Sequence, residues 1–341
     1  MAKKKQVKKE EDSVNIEAWR QKVQKDYGNV MFSASDMQNT PRQLLSVGPA
    51  IDLELNGGIN SGTTLILSGP PKGSKTTTAL EIASRAQVKH NTKIFFFDIE
   101  CRFDFIHLSS VSRLRLNDVT VIKSTRDKIL TAQDYLTICE NVLKNEENSI
   151  IIVDSTSALA TSNELDGALT PQYRNENPKL LASWCRRIHP LMPANNNTLI
   201  LINHMIASQS LYAPPYIEDG GVSIKFLGGT HLRIKSVKKW LDENNKIIGQ
   251  SSDFQVVFSS NGPPGGMVTS FLRYGHGIDD AYETYQLAIS LGVITKSGSW
   301  FKYKDISIQG DTNFYKHLQE NQNIQIEIYN EVKSLLSEKC V

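Results

Sequence analysis

A short apolar run, Thr63-Thr64-Leu65-Ile66-Leu67-Ser68, leads straight into Gly69-Pro70-Pro71-Lys72-Gly73-Ser74-Lys75-Thr76, and a helical stretch from Thr77 to Gln87 follows. This strand, turn and helix constrains the fold more than any other stretch of the chain. Such a turn aims backbone N–H groups and a helix N-terminus at one point, and partial positive charge collects there. In the pattern G-x-x-x-x-G-K-[ST] the Lys reaches the outer phosphates of a nucleotide and the next hydroxyl holds Mg²⁺. Those roles fall to Lys75 and Thr76. Gly69, Pro70, Lys72, Gly73, Ser74, Lys75, Thr76 and Thr77 are thus the expected nucleotide-binding set, with ATP and Mg²⁺ as ligands. The pattern wants Gly at position 74, where this chain has Ser74 with Gly73 one residue early. A plain Gly/Pro turn before a helix is the alternative, and the correctly placed strand and helix weigh against it.

The chain has 341 residues, enough for one large core and a smaller domain. Hydrophobic residues make up 40% and charged residues 22%, ordinary for a soluble globular protein. No run approaches about eighteen apolar residues, so no membrane span is expected. Lys3, Lys4, Lys5, Lys8 and Lys9 have no apolar segment behind them, unlike a secretory signal. Cys101, Cys139, Cys185 and Cys340 show no paired spacing, which argues against a disulfide framework or zinc site and suits the cytoplasm. A net charge of +2 means that any nucleic-acid site must be local.

Four segments are expected. Residues 1–13 form a basic, disordered tail, either solubilising or touching DNA phosphates. Residues 14–43 hold a short amphipathic helix at 14–27, with Val14, Ile16, Trp19, Val23 and Tyr27 apolar, and a polar linker at about 33–43. The helix packs either on a neighbouring subunit or within its own. From 44 to 277, apolar runs at 63–68, 93–98, 119–123, 149–154 and 198–203 alternate with helical stretches at 75–89, 103–114, 131–145 and 178–190. That alternation predicts an α/β fold with a mostly parallel sheet covered on both faces. Runs at 231–237, 253–258 and 267–273 are expected to extend the sheet antiparallel. Residues 278–341 read as a small α+β domain: a helix at 281–291, a strand pair near Trp300, and two helices.

A phosphate loop needs a second strand that brings a carboxylate to the metal. Ser149-Ile150-Ile151-Ile152-Val153-Asp154 supplies it, with Asp154 either a metal-water ligand or simply an N-cap. Hydrolysis needs a group to deprotonate or orient water. Glu100 is the candidate base and Asp98 a supporting acid, both at the end of the strand Lys93–Asp98. The strand Thr198–Asn203 ends beside His204, a candidate sensor of the γ-phosphate. One long loop follows Asp154, at about 160–177, and another follows His204, at 205–229, and long loops in a compact domain are commonly functional. Arg174, Lys179 and Arg186 near the first, and Met205, Ile206, Tyr212 and Lys225 in the second, offer cations and apolar groups suited to single-stranded DNA. Arg186 and Arg187 also read as a solvated helix face.

In order and spacing, the phosphate loop, Asp98-Ile99-Glu100, Ile151-Ile152-Val153-Asp154-Ser155 and Leu201-Ile202-Asn203-His204 resemble the RecA-type recombinases. The similarity covers nearly everything from about residue 44 and includes Gly292–Tyr303 in the small domain. The missing second glycine and the His at 204 resemble the recombinases of large tailed bacteriophages. The resemblance implies a RecA-like P-loop NTPase core and a DNA-dependent ATPase active in recombination and repair. It also implies homo-oligomeric filaments on single-stranded DNA, pairing with duplex DNA, and help from a single-strand-binding protein and a loading mediator. Glu100 matches the catalytic glutamate, Asp154 the second-strand aspartate and His204 the γ-phosphate sensor. Asp104 falls where the family contacts adenine, and His107 where it stacks an aromatic ring. The family also inserts basic side chains into a neighbour's ATP site from a segment that here reads Val256-Val257-Phe258-Ser259-Ser260-Asn261-Gly262-Pro263-Pro264-Gly265-Gly266, without Lys or Arg. Lys235, Lys238, Lys239 or Arg273 stands in, or turnover is slow. A weakly hydrolysing or non-hydrolysing paralogue, switched by ATP, is the second reading. A hexameric helicase-type ATPase is the third.

Overall fold

The structure is a computed structural model that describes residues 16–39, 43–167, 176–207, 216–218, 222–225 and 227–339. The chain divides into two units, Met1–Gln43 and Leu44–Val341. In the first, α1 spans 16–27 and leaves Trp19 and Tyr27 exposed. The stretch expected as a polar linker instead contains α2 (Ala34–Asn39). Ser33 explains this: its hydroxyl accepts the Asp36 N–H at 3.1 Å while the Asp36 carboxylate accepts the Ser33 N–H at 3.3 Å, a reciprocal N-terminal cap.

In the second unit β1 (Leu44–Leu45) pairs with β2 (Ile59–Asn60) around α3 (Pro49–Glu54). The main succession is β3 (Thr64–Gly69), α4 (Lys75–His90), β4 (Lys93–Asp98), α5 (Phe105–Leu108), β5 (Val119–Ile122), α6 (Ala132–Asn145) and β6 (Ser149–Asp154). It continues through α7 (Ser162–Asp166), α8 (Glu176–Ile188), α9 (Leu191–Ala194), β7 (Thr198–Ala207), β8 (Tyr216–Glu218) and α10 (Val222–Lys225). Long strands follow: β9 (Gly228–Leu241), β10 (Ile247–Ser259), β11 (Met267–Arg273) and the short β12 (Gly277–Ile278). The chain ends with α11 (Asp280–Ser290), a three-stranded sheet of β13 (Thr295–Ser297), β14 (Trp300–Tyr303) and β15 (Ile306–Gln309), and then α12 (Asp311–Glu320) and α13 (Gln322–Lys339).

The large sheet has the order β12-β11-β10-β9-β3-β7-β6-β4-β5, with β8 paired to β7. The six strands from β9 to β5 run parallel. Successive side chains on these strands face opposite ways. Leu65, Leu67, Ile150, Ile152, Ile200 and Ile202 cluster with Leu80 and Ile82 of α4. Ile66, Ile151, Val153, Leu199 and Leu201 cluster instead with Leu136 of α6 and Trp184 and Ile188 of α8. Cover on both faces is why these strands read as unbroken apolar runs. Each such side chain contributes about 1.5–3 kcal/mol by leaving water. The register sets Gly69 beside His204 and Asp98 beside Asp154, so four strand ends meet at one edge. Ligands of open α/β sheets bind at that edge. A third cluster, with Tyr285, Phe301, Phe314, Leu318 and Val332, holds the C-terminal elements together.

Several expectations need correction. The helix expected at 103–114 is only Phe105–Leu108, because the Ser109 and Ser110 hydroxyls turn back onto the Ile106 and His107 carbonyls and end it. Of the three late strands, β9 is parallel to β3, and only β10 and β11 extend the sheet antiparallel. The stretch 205–229 is not simply a loop: β7 runs on to Ala207, β8 returns antiparallel on it, and α10 follows. The stretch 160–177 likewise contains α7 and the start of α8.

Candidate nucleotide-binding site

The turn between β3 and α4 accounts for the shifted glycine. Gly73 donates to the Pro70 carbonyl at 3.2 Å, and a Cβ at position 73 would lie 2.9 Å from that oxygen. A glycine is needed there for space. The next residue, Ser74, takes the left-handed conformation (φ 65, ψ 12) that glycine would adopt freely. Its hydroxyl is held in return, accepting from Gln250 Nε2 and lying 3.1 Å from Ser252 Oγ, both on β10. The departure from the pattern is therefore tied down from across the sheet.

Lys75 is buried and folds back on the turn, donating to the Gly69 and Pro70 carbonyls at 3.0 and 2.8 Å. Burial pushes its amine down to about 8, with Asp154 opposing and Arg102 adding to the shift. Thr76 Oγ1 donates to Asp154 Oδ2 at 2.6 Å. Burial pushes the Asp154 carboxyl above its ordinary value in spite of that bond. This hydroxyl and carboxylate are a hard-oxygen pair suited to Mg²⁺. Among the described residues no group of three or more His, Cys, Asp or Glu side chains is placed to hold a metal ion, so the remaining oxygens would come from phosphate and water.

Asp98 is buried and accepts the backbone N–H groups of Arg102 at 3.0 Å and Phe103 at 3.2 Å. It shapes the turn that presents Glu100. The Glu100 carboxylate accepts from Ser155 Oγ at 2.5 Å, lies 2.5 Å from His204 Nε2, and is ion-paired with Arg102. Lys75, Thr76, Glu100, Asp154 and His204 thus line one cavity of about 530 Å³. Beside it, Asp104 caps α5 through the Ile106 and His107 N–H groups and lies 2.9 Å from His107 Nδ1, and it orients the ring that lines the cavity. Sequence reasoning missed Arg102 and Tyr274, which also line it.

The DNA candidates are not gathered in the same way. Lys179 and Arg186 are exposed on α8, seven residues apart and so on one face of the helix. Neither lines the cavity. Met205 pairs with Glu218 across β7 and β8, and Ile206 lies in β7. Arg174 and Tyr212 lie outside the described residues. Lys225 is ion-paired with Glu218 at 3.4 Å. Glu218 also accepts from Ser68 Oγ and Arg233 and lies 3.0 Å from His231. Burial raises the Glu218 carboxyl, but His231, Arg233 and Ser68 outweigh it and hold it well below its ordinary value. This cluster links the return strand after His204 to β3, one residue before the phosphate loop.

A phosphate loop at the edge of a mostly parallel sheet, facing a second-strand Asp and a Glu, defines a P-loop NTPase core. The RecA N-terminal domain matches residues 15–279 and the RecA C-terminal domain residues 283–337. Relatives include Protein RecA of Rickettsia bellii, 27% identical over 322 residues (93% of this chain and 90% of the relative). Protein RecA of Nitratiruptor is 27% identical over 317 residues (91% and 90%), and that of Ruminococcus albus 25% over 307 residues (89% and 74%). The chain belongs to the RecA family. These relatives are bacterial and do not bear on the expected kinship with phage recombinases. Among the described residues no helix is long and apolar enough to cross a membrane.

Proposed function

We propose that this protein is an ATP-dependent DNA recombinase that assembles as a filament on single-stranded DNA and promotes pairing and strand exchange with duplex DNA. The observation that carries the reading is the joining of Glu100 to His204, at the start of the segment expected to meet DNA, within the cavity that holds Lys75 and Asp154. In this reading Lys75 leaves the loop carbonyls for the outer phosphates. Thr76 and Asp154 hold Mg²⁺, which offsets phosphate charge. His107 packs against the base, and Glu100 takes a proton from the attacking water. A γ-phosphate that draws His204 away from Glu100 shifts the end of β7, and β8 carries that shift towards Glu218 and β3. The exposed Trp19 and Tyr27 of α1 are the surface that docking on an adjacent subunit would cover.

The bare segment 256–266 supports the second reading, an ATP-switched paralogue that hydrolyses weakly. Electron microscopy and strand exchange between homologous single-stranded and duplex DNA separate the two. Filaments that exchange strands with ATP support the recombinase. DNA-bound filaments without exchange favour the paralogue, and rings overturn both.

A further inference from the structure

We infer that Gln250 is a positioning residue of the nucleotide site: through Ser74 it holds the phosphate loop in the conformation that takes phosphate, and Tyr274 aims its amide. This rests on the ATPase reading above and adds to it a residue that acts through the loop rather than on the reacting atoms. Gln250 lies on β10, which β9 separates from β3. It pairs with Lys239 of β9 and Leu272 of β11. Gln250, Ser252 and Phe254 alternate onto one face of the strand. Phe254 clusters there with Leu80 and Ile82 of α4, so this face looks towards the helix that the phosphate loop opens.

An irregularity in the sheet sets that phase. The pairing of β10 with β9 passes over Ile248, between Ile247 and Gly249. One residue fewer or more there would turn Gln250 to the opposite face. Gly249 lets β11 come close, since a Cβ at that position would run into the Leu272 carbonyl. Both ends of the Gln250 amide are then used. The Tyr274 hydroxyl donates to Oε1 at 3.3 Å, and Nε2 donates to Ser74 Oγ. With its oxygen engaged by Tyr274, the amide presents its N–H groups to Ser74. Ser74, Gln250 and Tyr274 line the same cavity as Lys75 and Thr76.

The loop needs this hold because of its sequence. Ser74 is left-handed, and a residue with a Cβ relaxes out of that region unless something keeps it there. Relaxation would rotate the peptide between Ser74 and Lys75 and swing the N–H groups that open α4 away from the point on which they converge. The loop would then be competent only part of the time, and nucleotide affinity falls by that fraction. A glycine at position 74 adopts the left-handed conformation freely, so a loop with glycine there has no use for Gln250.

The test measures ADP affinity by calorimetry, and KM and kcat for DNA-stimulated ATP turnover, in the unmodified chain, Gln250→Ala, Tyr274→Phe, Ser74→Gly and the double variant Ser74→Gly with Gln250→Ala. Gln250→Ala is expected to weaken ADP binding and raise KM about five- to tenfold, the worth of one such hydrogen bond. Its kcat is expected within about twofold, because saturating ATP selects the competent loop. Tyr274→Phe, which keeps the ring and frees the amide, is expected to shift both the same way by a smaller factor. In the Ser74→Gly protein, removing Gln250 is expected to change ADP affinity by less than about twofold. Unchanged ADP affinity in Gln250→Ala overturns the assignment. So does an equal loss in the Ser74→Gly protein, which would mean that Gln250 touches the nucleotide itself, or a fall in kcat with KM unchanged, which would mean lost folded protein. ADP affinities in the expected order without any ATP turnover by the unmodified chain leave this assignment standing and overturn the ATPase reading.

Discussion

Ser74 sits where the phosphate loop ordinarily has glycine, and its left-handed backbone makes a quantitative test. A residue with a Cβ in that conformation is strained by about 1–2 kcal/mol, which glycine escapes. Glycine in turn loses about 0.4–1 kcal/mol more through the freedom of its unfolded chain. The hydroxyl bonds to Gln250 and Ser252 contribute about 1 kcal/mol, less than two full bonds because the site is half-exposed. Ser74→Ala keeps the strain and loses the bonds, so it is expected to cost about 1 kcal/mol. Ser74→Gly loses the bonds and the strain together, and is expected within a few tenths of the unmodified protein and about 1 kcal/mol above Ala. The assay is urea unfolding of all three proteins at equal slope, compared by midpoint. An Ala variant as stable as the Gly variant would mean that residue 74 carries no left-handed strain. The explanation of the shifted glycine would then fail.

Lys75, held down to about 8 by burial, must be charged to attract phosphates. Above that value the free protein carries a neutral Lys75 and has to take up a proton on binding. The Kd for a fluorescent ATP analogue is therefore expected to rise up to about tenfold per pH unit on the alkaline side, and a flat profile contradicts it. Glu100→Gln is expected to lower turnover by about 10²–10⁴-fold while ATP-dependent DNA binding persists; loss of binding along with turnover would remove Glu100 from the role of base. Glu283 is buried, and burial pushes its carboxyl up to about 7 despite the Ala50 and Phe271 N–H donors and the Ser270 hydroxyl. The folded state binds its proton more tightly than the unfolded chain, whose value is 4.5, so this group's contribution grows as pH falls from about 7 towards 4.5. That contribution is about 3 kcal/mol, and a urea midpoint that does not rise between neutral and mildly acidic pH counts against it.

The parallel core was legible because Ile150–Val153 and Thr198–Ile202 are covered on both faces, which leaves an unbroken apolar run in the sequence. Lys75, Thr76, Glu100, Asp154 and His204 were legible because each ends or follows such a run at one sheet edge. Arg102 was not, since an exposed arginine in a turn has no periodicity to mark it. Tyr274 follows β11, and the cavity it faces is visible only once β10 and β11 are folded against β9. The early end of α5 was not legible, because serine hydroxyls, rather than a glycine or proline, end it. β8 has only three residues and pairs with a strand extension that reads as loop, so the link from His204 through Glu218 to Ser68 lay inside a stretch with no apparent order.

The most direct measurement is ATP hydrolysis with and without single-stranded DNA, with Lys75→Ala as the blank. The account predicts turnover that rises strongly with DNA and disappears in the blank. No turnover above the blank, in a protein that still binds DNA only with ATP, would contradict the assignment of Glu100 and make this a nucleotide switch.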